Sequence, residues 1–285
     1  MNAFKTGMLM AVMTALFMLA GAAMGGRGGM MIALGFAVVT NFFSYWFSDK
    51  IVLAMYRAKE ASRAEAPRLY ASLERLTSRA ELPMPKVYLL PDSSPNAFAT
   101  GRNPANAAVA ATSGLVDLLN DEELEGVLAH ELAHVQHRDI LIGTIVGTMA
   151  SAISILATMA QWTAIFGGRD DEDNPFGFVG LLVSIIVLPF AAMLIQMGIS
   201  RNREYSADRR AGELTGRPAA LASALRKITI GIERRPMNAG QSTAHLFIAN
   251  PISGRTLAGL FSTHPDPEER IALLLKQQQE LGTYI

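Results

Sequence analysis

Four windows of the chain, Met8–Gly26, Met30–Ser48, Ile140–Gly168 and Asn174–Ser200, contain no Asp, Glu, Lys or Arg. A bilayer core of about 30 Å needs roughly 20 apolar residues in helix, and each window is long enough. They predict four membrane-spanning helices, about 8–26, 30–48, 140–165 and 176–200, arranged as two hairpins. The first run could instead be a signal peptide, since Lys5 precedes it and it ends in Ala-Gly-Ala-Ala. Its length, and the short Gly25–Gly29 link to the next apolar run, favour a hairpin. A fifth charge-free stretch, Pro236–Gly254, is too rich in Asn, Gln, Ser and Pro to lie in lipid.

Outside these windows the pattern changes. Lys59–Leu82 reads as a helix stopped by Pro83, and Lys86–Leu90 and Asn106–Ser113 read as short strands. Gly101 and Asn103-Pro104 supply the turn before the second strand. Asn120-Asp-Glu-Glu has the form of a capping box, so a helix starts there and runs through Leu124, Val127 and Leu128. Further helices are expected over Pro218–Arg234 and Pro267–Leu281. The organisation is a transmembrane hairpin over 1–48, a soluble domain made of 49–139 and 201–285, and a second transmembrane hairpin over 140–200 inserted into it.

Half of the residues are apolar and only 18% are charged, well below the quarter usual for a soluble chain. Lys5, Lys50, Arg57, Lys59, Arg63, Arg68, Arg138, Arg201, Arg203, Arg209 and Arg210 lie on one side of the predicted spans, against Arg27 and Arg169 on the other. That bias makes the richer side, with both termini and the soluble domain, cytoplasmic. The 25 basic residues are balanced by 25 acidic ones, with no basic stripe that would call for nucleic acid. Cysteine is absent, which excludes disulfides, thiolate metal sites and a Cys nucleophile.

The capped helix carries His130-Glu131-Leu132-Ala133-His134. Histidines four apart share a helix face and can hold one Zn²⁺, while the intervening Glu reaches the attacking water. His137 lies about 10 Å up the helix from His130, too far to share the ion. The metzincin pattern also fails, because it needs Gly where His137 stands and His where Ile140 stands. A third ligand must come from elsewhere. If the motif helix continues into the third span and the chain returns after a turn near residue 171, residue 204 lies opposite about 138 and residue 208 opposite about 134. Glu204 is therefore the expected third ligand. Asp208 is the carboxylate that orients a ligand imidazole through its other ring nitrogen. Three protein ligands leave a position open for catalysis. Glu131 is the expected general base, and His264 is the remaining candidate donor to the oxyanion, although it reads equally well as a histidine at a helix start.

His130-Glu-Leu-Ala-His134, Glu204-Tyr-Ser-Ala-Asp208, Asn96-Ala-Phe98, Leu246-Phe-Ile-Ala-Asn-Pro-Ile and Ser262-Thr-His-Pro together resemble the HtpX family of bacterial membrane zinc endopeptidases, relatives of the CAAX prenyl protease. The resemblance covers nearly the whole chain. It implies an α+β membrane protein, with four transmembrane helices and a mainly helical, zincin-like cytoplasmic protease domain bearing a small β-sheet. It implies one Zn²⁺ per subunit, an inner-membrane location, and cleavage of membrane proteins or unfolded polypeptides in stress response and quality control. It also implies that Asn96, Ala97 and Phe98 border an edge strand to which substrate adds; from the residues alone, Asn96 is a turn residue. A protease with its motif inside a span is disfavoured by Asp121-Glu-Glu-Leu-Glu before the motif and Arg138-Asp139 after it. A metal transporter would need ionisable residues within the spans, and the four windows have none.

Overall fold

The computed structural model describes residues 2–149, 201–237, 239, 243–250 and 265–282. The first element, α1 (Asn2–Met55), is helical throughout yet folds back on itself. Gly26 takes φ +57°, and at Gly21 a Cβ would lie 2.5 Å from the Gly29 carbonyl oxygen. Only glycine allows that reversal and that approach. The two arms meet through Phe17 and Phe36, ring centroids 5.3 Å apart, and through Asn41, whose Nδ2 donates to Thr14 Oγ1 at 2.9 Å. The second arm exposes Phe36, Val38, Val39, Phe42, Phe43 and Trp46. Among the described residues, Gly26–Met55 is the helix long and apolar enough to cross a bilayer.

A mixed sheet follows, built from β1 (Lys59–Glu60), β2 (Lys86–Leu90), β3 (Ala97–Gly101) and β4 (Ala107–Thr112) in the order β1-β2-β4-β3. β2 and β4 run parallel, while β1 pairs with β2 and β3 with β4 in antiparallel sense. β3 is thus an edge strand. The helices are α2 (Pro67–Ala80), α3 (Ser113–Leu118), α4 (Asp121–Gln136), α5 (Ile140–Met149), α6 (Arg201–Thr215), α7 (Pro218–Arg234) and α8 (Pro267–Gly282). The helix expected from Lys59 begins only at Pro67, because Lys59 and Glu60 pair with Leu89 and Tyr88. The strand expected to reach Ser113 stops at Thr112, whose hydroxyl accepts from Leu115 N–H and caps α3.

α4 is the central helix, buried between α2, α6, α7 and β3. Its start is the expected capping box: Asn120 Oδ1 accepts from Glu123 N–H at 2.9 Å, and Glu123 Oε2 accepts from Asn120 N–H at 3.1 Å. Glu123 also binds Lys227 at 2.8 Å and Ser223 at 2.7 Å, joining α4 to α7. Gly126 lets the two helices approach, since a Cβ there would sit 3.1 Å from Leu221 N. Asn120→Ala is expected to cost about 1 kcal/mol, read as a lower Tm of the detergent-solubilised protein with metal content unchanged.

The motif helix does not run unbroken into the third predicted span. α4 ends at Gln136, Arg138 adopts φ +58°, and helix resumes at Ile140. The left-handed Arg138 reverses the chain locally, so that Asp139 N–H donates to His134 O at 3.0 Å. α5 packs Ile142, Ile145, Val146 and Met149 against Leu9 and Met13 of the first arm. The remainder of the third predicted span and the fourth, up to residue 200, lie outside the described residues.

Candidate active site

On the last turns of α4, the buried His130 and the half-buried His134 place their Nε2 atoms 3.2 Å apart. Glu204, in the first turn of α6, puts one carboxylate oxygen 3.5 Å from His134 Nε2 and the other 3.7 Å from His130 Nε2. Ligands 2.0–2.1 Å from a tetrahedral zinc are separated by about 3.3 Å, so the three donors form one face of such a site. They are the group of described residues able to hold a metal, with all donor atoms within 4.8 Å of one another. A His₂Glu donor set with a fourth position open fits zinc.

Both imidazoles are oriented from behind. His130 Nδ1 lies 2.9 Å from Asp208 Oδ1, so its N–H points at the carboxylate and the Nε2 lone pair points at the metal position. His134 Nδ1 faces Asp139 Oδ2 at 3.7 Å, a contact created by the turn at Arg138. Asp208 therefore stands opposite His130 and Glu204 opposite His134, one helical turn from the simple antiparallel register. That register assumed a continuous helix, and the break after Gln136 removes the assumption. His137 is exposed and closes α4 with its backbone N–H on Ala133 O, apart from the donor group.

Arg270 of α8 was not visible in the sequence as a site residue. It is 2% exposed and grips Asp208 with Nε at 2.8 Å and Nη2 at 2.7 Å. Burial alone would raise the Asp208 carboxyl, but the Arg270 charge and hydrogen bonds bring it down to about 2. Arg270 is in turn held above its usual range by Asp208 and Glu204 despite burial. Burial pulls His130 down, whereas at His134 the hydrogen bond to Asp139 and the Glu204 charge outweigh burial and raise it.

Glu131 faces the same cavity from α4. Its burial pushes the carboxyl up to about 7, although the Ala99 backbone of β3 hydrogen-bonds to it. A carboxylate poised near neutrality suits proton transfer. Ala99, His130, Glu131, His134 and Glu204 line one cavity, together with His245, Leu246, Phe247 and Ile248. Asn96 is buried at the start of β3, with Nδ2 donating to Ala249 O at 3.0 Å. The Phe98 side chain is also buried, in an aromatic cluster with Tyr56 and Phe247. His264 lies outside the described residues. Sequence reasoning assigned the 243–250 segment no role in the site, although Leu246-Phe-Ile-Ala-Asn-Pro-Ile is among the motifs that carry the family resemblance.

Comparison with known proteins agrees with this geometry. The peptidase family M48 model matches residues 63–278. A Protease HtpX homolog of Desulfatibacillum aliphaticivorans is 56% identical over 99% of this chain and 91% of its own. One from Syntrophobacter fumaroxidans is 56% identical over 95% and 98%, and one from Ralstonia nicotianae 55% identical over 99% of both. Among solved structures, the crystal structure of S. mikatae Ste24p superposes with a TM-score of 0.54 at 19% identity, covering 96% of this chain and 66% of that one. The donor triad, the adjoining Glu131 and these full-length relatives place the chain in peptidase family M48, as a membrane-associated metallopeptidase of the HtpX type.

Proposed function

We propose that the protein is a membrane-anchored zinc endopeptidase that cleaves misfolded or damaged membrane proteins and unfolded polypeptides at the cytoplasmic membrane surface. The observation that carries the reading is the donor face of His130, His134 and Glu204 with Glu131 beside it. Zinc bound there would polarise the scissile carbonyl and acidify the attacking water. Glu131 takes the proton from that water and passes it to the leaving amine. Asp208 and Asp139 hold the two imidazoles in the ligating tautomer. His264 is the proposed donor to the oxyanion, and the β3 edge at Asn96, Ala97 and Phe98 the proposed site of substrate strand addition. The charge bias and apolar windows support four spans in a bacterial inner membrane, with both termini and the site cytoplasmic. Substrates of this kind fit a role in stress response and membrane-protein quality control.

Glu204→Ala tests the ligand set. It is expected to release most of the zinc, by elemental analysis of the purified protein, while the helical circular dichroism is kept. Full zinc retention would move the third ligand elsewhere.

A further inference from the structure

Within the segment 243–250, Ile248 and Ala249 meet the start of β3 at its outer edge. Ile248 N–H donates to Ala97 O at 3.0 Å. The Asn96 amide meets both backbone groups of Ala249, Nδ2 to O at 3.0 Å and Oδ1 to N at 3.5 Å. Numbering rises along the segment as it falls along the strand, so the pairing is antiparallel. On its other side the Ile248 carbonyl accepts from Arg270 Nη1 at 2.9 Å. Ile248 is 1% exposed, and with Leu246 and Phe247 it walls the cavity that contains His130, Glu131, His134 and Glu204.

The Ile248 N–H to Ala97 O bond is the kind of ladder bond that an added peptide strand would make on this edge. We propose that Leu246–Ala249 holds the place of a substrate strand, and that Arg270, with Asn96 and Ala97, binds the substrate backbone. The inference rests on the proposed active site. Arg270 suits the task because Asp208 fixes its Nε and Nη2, leaving Nη1 aimed at a carbonyl. An incoming polypeptide displaces the segment, gives its own N–H to Ala97 O, offers the carbonyl of the same residue to Arg270, and pairs its next residue with the Asn96 amide. The substrate class follows from the residues it replaces: an extended, unfolded chain with a branched aliphatic side chain at the Ile248 place and a small one at the Ala249 place.

The chain has no cysteine, so Ile248→Cys introduces a single thiol. In full-length, zinc-loaded protein that also carries Glu131→Gln, maleimide labelling is measured with and without casein, at concentrations that saturate binding by fluorescence anisotropy. Displacement of the buried segment accelerates labelling by roughly tenfold or more. An unchanged or slower rate at saturation overturns the proposal and makes the segment a fixed wall. A second arm is independent of labelling. Ile248→Ala in the active enzyme weakens an internal competitor and lowers KM for casein about threefold or more; an unchanged or raised KM overturns the proposal. Failure of the active-site reading itself shows separately, as zinc retained by Glu204→Ala.

Discussion

Replacing Glu131 by Gln is expected to lower zinc-dependent cleavage of casein by about 10²–10⁴-fold, the contribution of a positioned general base, while bound zinc stays at the wild-type level. The separation follows from the geometry. Glu131 is outside the donor group formed by His130, His134 and Glu204, so its loss spares the ligands. It lines the same cavity, and the amide cannot accept the proton. Elemental analysis beside the rate assay decides the matter: parallel loss of zinc would mean that Glu131 supports the metal rather than the chemistry.

The largest effect on stability is expected at the Asp208–Arg270 pair. Arg270→Leu leaves the Asp208 carboxylate buried without its counter-charge, and breaking a buried pair from one side costs about 3–5 kcal/mol. Asp208→Leu leaves the guanidinium with only the more distant Glu204 carboxylate, 3.9 Å away, as a counter-charge. The double variant is expected to lose less than the sum of the two, because neither charge is then left alone. Thermal unfolding of the four proteins in detergent measures this, and strict additivity would show that the pair acts as two independent groups. The pH dependence has a definite sign. The folded Asp208 value of about 2 lies below its ordinary 3.8, so the stabilisation is complete above about pH 4–5 and is lost as pH falls through 2. The difference amounts to about 2 kcal/mol.

What could be read from the residues was the part written in local periodicity. Two histidines four apart, a capping box and charge-free windows are each short-range patterns, and they located the motif helix and the candidate ligands it carries. Glu204 and Asp208 were reachable because an assumed hairpin converts sequence distance into spatial register, though they meet His134 and His130 one turn away from the register it gave. The register assumed one continuous helix, and the break at the left-handed Arg138 leaves no trace in hydropathy. Arg270 and the 243–250 segment were illegible for another reason. Arg270 begins an ordinary-looking charged helix turn, and its burial is set by Asp208 on a different helix. The segment binds β3 through its backbone, which every residue type possesses.

The interruption between α4 and α5 also bears on mechanics. Helices in lipid tilt as bilayer thickness changes. A single rod from motif to membrane would act as a lever on the catalytic histidines. Here the rod is jointed at His137–Asp139, so α5 is not rigidly continuous with α4, which is held among α2, α6 and α7. Asp139 belongs to the joint and faces His134 Nδ1 at 3.7 Å, so the hinge sits directly behind one of the candidate ligands.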